Sequence, residues 1–333
     1  MQINLKNKNI LITGGTGSFG KAVTLKLLKK YSPRKVIIYS RDELKQHQMS
    51  NDIKFQKYHR NLRFFIGDIR DKDRLRLALN DTDFVIHAAA LKQILAAEYN
   101  PMEAIKTNII GAQNLIDACM DVSKPIKVIA LSTDKAVDPI NLYGATKLVS
   151  DKLFVAANNI SAKNKTSFSI VRYGNVIGSR GSVIPVFKQQ IINKEKYLTV
   201  TDKKMTRFFI TLDQATDFVL KSFNFMTGGE IFIPKMPSIS ILELAKTMLQ
   251  KNQKIKITGI RAGEKLHEIL SSSQSNQKVY DMKNFFIIYP DLKFFTPNNK
   301  IIKKKSNKII KNFKYSSDKN KFLSNTQIKK LLK

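Results

Sequence analysis

The sequence is poor in the residues that build disulfides, metal clusters and acidic surfaces. It has one cysteine, four histidines and no tryptophan, and 26 acidic side chains stand against 58 basic ones in 333 residues. The lone Cys119 excludes an internal disulfide and points to a reducing compartment. No apolar run approaches the length of a membrane-spanning helix, and the opening residues Met1 to Lys6 lack the apolar region of a signal peptide. A cytoplasmic protein without a membrane partner is therefore expected. His267 and Glu268 are adjacent, but no second group of ligands accompanies them, so they are read as structural and no metal is expected.

The shortage of acid leaves a formal charge of +32, which raises nucleic acid as a partner. Its distribution argues otherwise. Twelve lysines and a single acid, Asp318, fall between Lys300 and Lys333, and the remaining excess is scattered. No zinc-finger spacing, aromatic RNA-binding strand or basic zipper is present. A solvated lysine-rich surface is the simpler reading, and 291–333 is read as a basic C-terminal tail.

The first half of the chain alternates strand and helix signals. Asn9 to Thr13 is a short apolar run that ends in Gly14-Gly15-Thr16-Gly17-Ser18-Phe19-Gly20, and an amphipathic stretch follows. Glycines at 14, 17 and 20 let backbone approach a pyrophosphate and let helix pack close to strand, with phosphate at the helix N-terminus. Thr16, Ser18 and Phe19 belong to the same turn. The second strand, Lys35 to Tyr39, ends at Ser40-Arg41, where a hydroxyl and a guanidinium suit the 2′-phosphate of NADP better than the free ribose of NAD. A third strand, Leu62 to Ile66, leads to Asp68, read either as an acceptor for the adenine amine or as a helix cap. The run Asp83 to Ala90 reads as a buried strand in which Ala88, Ala89 and Ala90 let the backbone lie against the cofactor and His87 is a packed core histidine. A long helical segment is expected from Pro101 to Met120.

The strand Ile126 to Leu131 then delivers Thr133, Asp134 and Lys135 to its C-terminal end, where ligands bind in a doubly wound parallel sheet. Tyr143 and Lys147 follow, four residues apart and so on one helix face, where the ammonium favours the ionised phenol. A tyrosine so activated takes a proton from a sugar or alcohol hydroxyl as the carbon is oxidised. The fold class expected is α/β, a Rossmann-type doubly wound parallel sheet with a smaller C-terminal substrate lobe. The boundaries are 1–175 for an NADP-binding domain and 176–290 for a substrate lobe with segments returning to the sheet.

These motifs resemble those of the extended short-chain dehydrogenase/reductases, and within them the soluble UDP-N-acetylglucosamine 4,6-dehydratases that invert C5. The match is carried by Thr13 to Gly20, Tyr39 to Gln46, His87 to Lys92, Ala97 to Pro101, Ser132 to Lys147, Val171 to Val176, Gly178 to Val183, Met205 to Phe208 and Gly259 to Glu268. It runs from about residue 8 to residue 318. The better-known nucleotide-sugar dehydratases of this superfamily carry Asp-Glu where this chain has Asp134-Lys135. The membrane-anchored, C5-retaining relatives tend to have Met at the position of Tyr143. Gln93-Ile94 stands where the family often has His-Val.

The resemblance implies UDP-N-acetylglucosamine as substrate, a homo-oligomer of dimers built into a hexamer, and the opening step of pseudaminic acid synthesis, which serves flagellin or surface polysaccharide. It places Lys92, Asn175, Arg180, Arg207, Arg261 and Glu264 against the UDP-sugar. Arginine forks suit a diphosphate, although a surface ion pair is the alternative for each. In the chemistry expected, Tyr143, oriented by Lys147 and Thr133, takes the 4-hydroxyl proton. Lys135 then takes the acidified proton of C5, and Asp134 protonates the departing 6-hydroxyl. Lys135 must be neutral for this, its pKa brought from about 10.4 toward about 7 to 8. The alternatives are a UDP-sugar 4-epimerase, which needs no acid/base pair at C5 and C6, a C5-retaining dehydratase, and an NADP-binding regulator or nucleic-acid-binding protein that uses the basic tail.

Overall fold

The computed structural model describes residues 3–161, 165–178, 182–273, 277–290 and 300–332. Six parallel strands form the heart of the molecule: β1 (Asn9–Thr13), β2 (Lys35–Ser40), β3 (Leu62–Ile66), β4 (Phe84–His87), β5 (Lys127–Thr133) and β6 (Ser167–Tyr173). Their spatial order is β3-β2-β1-β4-β5-β6, the order of the doubly wound dinucleotide-binding fold. Ile10 to Ile12 and Val85 to Ile86 are fully buried, so these central strands are continuous apolar runs, as a sheet covered on both faces requires. Strand order reverses between β1 and β4, and a crevice opens there at the strand C-termini.

Beyond β6 the sheet continues through Ile231–Pro234, parallel to β6, and then through three antiparallel strands, Phe285–Ile288, Val279–Asp281 and Lys308–Ile310, for ten strands among the described residues. The lysine-rich stretch read as a tail therefore enters the fold. Lys308–Ile310 is an edge strand, where charged side chains discourage further pairing. Tyr315–Ser316 pairs with Ile269–Ser271, and Ile328 of helix Asn325–Leu332 sits in a second apolar cluster. Lysine composition concealed these anchors: Ile302, Tyr315 and Ile328 are all buried.

The second cluster, with Ile184, Phe187, Phe209, Ile241 and Leu244, forms the core of the smaller lobe. The expected long helix is present but not uniform. Pro101–Ile105 and Gly111–Asp121 are α-helical, and Lys106–Ile110 between them is a π turn. Such bulges re-aim side chains. Here the turn carries buried Asn108, whose side chain holds both N–H and C=O of Leu91 (2.8 and 2.9 Å) and reaches Thr146 at 3.0 Å. Among the described residues no helix is long and apolar enough to cross a membrane.

Candidate active site

A cleft of about 880 Å³ lies over the C-terminal ends of β1, β4, β5 and β6. Its floor begins at Gly14, which has φ +64° and lies so close to the β4 loop that an added Cβ would stand 2.9 Å from the Ala89 nitrogen. Helix α1 (Ser18–Lys30) follows, and its N-cap Gly17 has no side-chain cap. Its first N–H groups are thus available to an anion. Thr16, Gly17, Ser18, Phe19 and Gly20 line the cleft, as do Ser40, Arg41, Ala88, Ala89 and Ala90.

Asp68 is placed differently. Its carboxylate receives the N–H, Nε and a terminal nitrogen of Arg70 (2.9, 3.0 and 2.7 Å), lies 3.7 Å from Arg41, and is not among the cleft-lining residues. Nor does it cap a helix, because Asp71 caps Lys72–Leu79. Ile69 lines the cleft beside it. His87 is buried against Thr13, with Nδ1 2.8 Å from the hydroxyl, and burial lowers its pKa to about 3, so the ring is neutral.

Thr133 ends β5, and Asp134 and Lys135 form one tight turn, Asp134–Ala136, at the strand's end. Helix Leu142–Ala156 then starts at Asn141, whose side chain accepts from the Gly144 N–H at 2.7 Å. Tyr143 and Lys147 face the cleft from its first two turns. The helix is pinned beneath by Asp151, which accepts from Ser132 of β5 (2.7 Å) and Arg172 of β6 (3.0 Å). A Cβ on Gly144 would stand 2.2 Å from the Lys135 carbonyl oxygen. Gly144→Ala is therefore expected to push helix and turn apart, lowering stability by about 1–3 kcal/mol and turnover with it. Thermal denaturation and an activity assay check both.

The charges in this turn are arranged in a way the local sequence does not disclose. Lys135 Nζ lies 3.1 Å from Asp134 Oδ1 and 3.0 Å from Glu268 Oε1, and Glu268 is also 3.6 Å from Arg207 Nε. Asp134 and Glu268 are almost completely buried. Glu268, read as structural, thus belongs to the site, whereas its neighbour His267 is bonded to Thr206 at 2.8 Å.

Two electrostatic expectations are corrected. Burial disfavours the Lys135 ammonium, but Asp134 and Glu268 outweigh it and hold the lysine above its ordinary value, not below it. Burial pushes the Tyr143 phenol up to about 12, against the opposing pull of Lys135 and a hydrogen bond with Thr133. Lys147 is itself held below the usual lysine value by burial, with Asp151 opposing. Asp134 is raised by burial despite Lys135. For Glu268 burial works against the charge, yet Lys135 and Arg207 prevail and keep it below the glutamate range.

The expected substrate residues divide. Lys92, Asn175, Arg261 and Glu264 line the cleft. Asn175 Oδ1 and Glu264 Oε2 are buried with no hydrogen-bond partner among the described residues. Arg207 is buried behind the wall, against Glu268 and the Thr206 and Leu266 carbonyls, and does not line it. Arg180 lies outside the described residues.

Residues 10–290 match a family described as polysaccharide biosynthesis protein. A Campylobacter jejuni protein named UDP-N-acetylglucosamine 4,6-dehydratase (inverting) is 56% identical over 94% of this chain and 93% of its own length. A Rickettsia bellii protein named UDP-glucose 4-epimerase is 41% identical over 98% and 95%. Among solved structures, Pen from Bacillus thuringiensis is 38% identical and superposes with a TM-score of 0.86 over 99% of this chain and 98% of that one. The dTDP-glucose 4,6-dehydratase DesIV of Streptomyces venezuelae, solved with NAD, shares the fold at 21% identity and a TM-score of 0.66, over 78% and 86%. The chain belongs to the polysaccharide biosynthesis protein family and has the short-chain dehydrogenase/reductase fold of nucleotide-sugar dehydratases and epimerases.

Proposed function

We propose that this protein is an NADP-dependent UDP-N-acetylglucosamine 4,6-dehydratase that inverts C5, giving UDP-2-acetamido-2,6-dideoxy-β-L-arabino-hex-4-ulose. The observation that carries the reading is the Asp134-Lys135 pair in the same cleft as Tyr143 and Lys147, backed from beneath by buried Glu268. Oxidation and reduction at one carbon need only the tyrosine, so a further acid and base point to chemistry at C5 and C6. The 56% identity to the Campylobacter jejuni protein supports the same substrate. From the resemblance, the reaction opens pseudaminic acid synthesis.

The residues present fit a dinucleotide. The uncapped start of α1 would hold the pyrophosphate, and Ser40 and Arg41 a 2′-phosphate. Asp42, the carboxylate that could prefer a free ribose, caps Glu43–Asn51 and is paired with Lys45. The Arg41 side chain is half exposed at the cleft edge. Arg41→Ala is expected to weaken NADP binding by roughly 10- to 100-fold, the worth of one or more charged hydrogen bonds, and to leave NAD binding nearly unchanged. Fluorescence titration of both cofactors measures it.

When bound, the nicotinamide supplies the redox chemistry at the sugar carbons. The protein supplies the proton chemistry. As the phenolate, its own proton given up to solvent against the upward push of burial and with the pull of Lys135 and Thr133, Tyr143 takes the proton of the 4-hydroxyl, and the resulting 4-ketone acidifies the C5 proton. Lys135 as a free amine takes that proton, and Asp134 as a carboxylic acid gives one to the 6-hydroxyl as water leaves. The ammonium–carboxylate pair becomes this amine–acid pair by moving one proton along the 3.1 Å contact between Lys135 and Asp134. No net charge changes.

The relatives named UDP-glucose 4-epimerase support a second reading, in which the 4-ketone is reduced again at C4. Mass spectrometry of the product from UDP-N-acetylglucosamine separates the two. Loss of one water supports the dehydratase, and an isomer of unchanged mass supports the epimerase.

A further inference from the structure

Glu268 stands far from Lys135 in sequence, yet it lies as close to Nζ as Asp134 does, at 3.0 and 3.1 Å. Its backbone is fixed from the C-terminal region. The Glu268 N–H donates to Ser317 Oγ at 2.9 Å, and the Ser317 N–H donates back to the Glu268 carbonyl at 2.9 Å. The Ser317 hydroxyl is in turn 2.7 Å from Thr206 Oγ1. A segment that composition presents as a solvated tail thus clamps a carboxylate under the active-site lysine.

The remaining carboxylate oxygens show where a proton is held. Asp134 Oδ2 and Glu268 Oε2 are both buried and have no hydrogen-bond partner among the described residues. A buried carboxylate oxygen without a donor is unfavourable as an anion, and protonation relieves it. Glu268 has two cations at hand, Lys135 at 3.0 Å and Arg207 at 3.6 Å, whereas among the described residues Asp134 has only Lys135 within ion-pair distance. The mobile proton is therefore shared between Lys135 and Asp134, and Glu268 keeps its charge. Resting on the dehydratase reading, we propose that Glu268 is a positioning residue for Lys135: it holds Nζ against Asp134 for the proton exchange and sets the pH at which the singly protonated Asp134–Lys135 pair exists.

The sign follows from the charges that face Lys135. Asp134 and Glu268 stabilise its proton, Arg207 opposes it, Tyr143 and Lys92 lie near it across the cleft, and Lys265 faces both acids. The active pair holds one proton, so it fails at low pH by gaining a second and at high pH by losing the first. Removing the anion at Glu268 makes both protonations harder. Both limbs of the kcat profile then move to lower pH.

The test compares kcat and KM against pH for the wild-type holoenzyme, Glu268→Gln and Glu268→Asp with UDP-N-acetylglucosamine. Expected for Glu268→Gln is a shift of both limbs to lower pH by roughly 1–2 units, the effect of one charge at this range. KM should stay nearly constant, because Glu268 does not line the cleft. Glu268→Asp keeps the charge on a shorter arm, so kcat falls while the limbs stay in place, and this variant carries the test if Glu268→Gln does not fold. Unmoved limbs in Glu268→Gln, moved limbs in Glu268→Asp, or a rise in KM alone would overturn the inference. A wild-type enzyme that dehydrates its substrate while the limbs disobey condemns this inference alone, whereas one that forms no dehydrated product removes the dehydratase reading and this inference with it.

Discussion

Lys135→Ala is expected to slow formation of the dehydrated sugar by roughly a hundred- to ten-thousand-fold, the usual contribution of a positioned base, while a single turnover still yields the 4-keto sugar. The asymmetry follows from geometry. Lys135 lies between Asp134 and Glu268, whereas the phenol of Tyr143, on the neighbouring helix, is hydrogen-bonded to Thr133 at the end of β5. Removing the amine takes away the base for C5 and strands Asp134 with no donor for its proton, but leaves the tyrosine in place. The variant also leaves two buried carboxylates short of a counter-charge, which lowers stability by about 3–5 kcal/mol where both stay ionised. Rapid-quench analysis of bound sugar, with thermal denaturation to confirm folding, checks both parts. Equal loss of oxidation and dehydration would contradict the division of roles.

Tyr143→Phe is expected to fail one step earlier. Only one oxygen is removed, and Thr133 and Lys147 keep their places, so cofactor and sugar should bind with affinities close to those of the wild type. Formation of the 4-keto sugar should fall by at least roughly a hundred- to ten-thousand-fold, and no dehydrated product should accumulate. Titration calorimetry and single-turnover analysis separate binding from chemistry. A variant that still oxidises C4 but fails to release water would transfer the tyrosine's role to another residue.

Much of this site was legible because its signals are local. Gly14 to Gly20 follows an apolar strand and opens a helix, and Tyr143 and Lys147 share one helix face by spacing alone. Asp134 and Lys135 sit where β5 must end, so their presence at the crevice needed no tertiary information. Glu268 was not legible in this way, because its approach to Lys135 depends on a clamp with Ser317 and on the strand pairing of Ile269–Ser271 with Tyr315–Ser316. The charge states of Lys135 and Tyr143 are hidden from the sequence for related reasons: burial sets the sign for Tyr143, and Asp134 with a carboxylate that arrives from far along the chain sets it for Lys135. Asp68 was open between an adenine acceptor and a helix cap, and neither holds, since Arg70 two residues on takes its carboxylate. In the C-terminal stretch, abundant lysine hid the few apolar anchors that bind it to the fold.

The most direct test is incubation of the enzyme with UDP-N-acetylglucosamine in D₂O, read by mass spectrometry and proton NMR. The account predicts loss of one water, one deuterium at C5 in the inverted L-arabino configuration, and a C6 methyl whose third hydrogen comes from C4 and is not deuterium. A dehydrated product with C5 retained, or an isomer of unchanged mass, would contradict it.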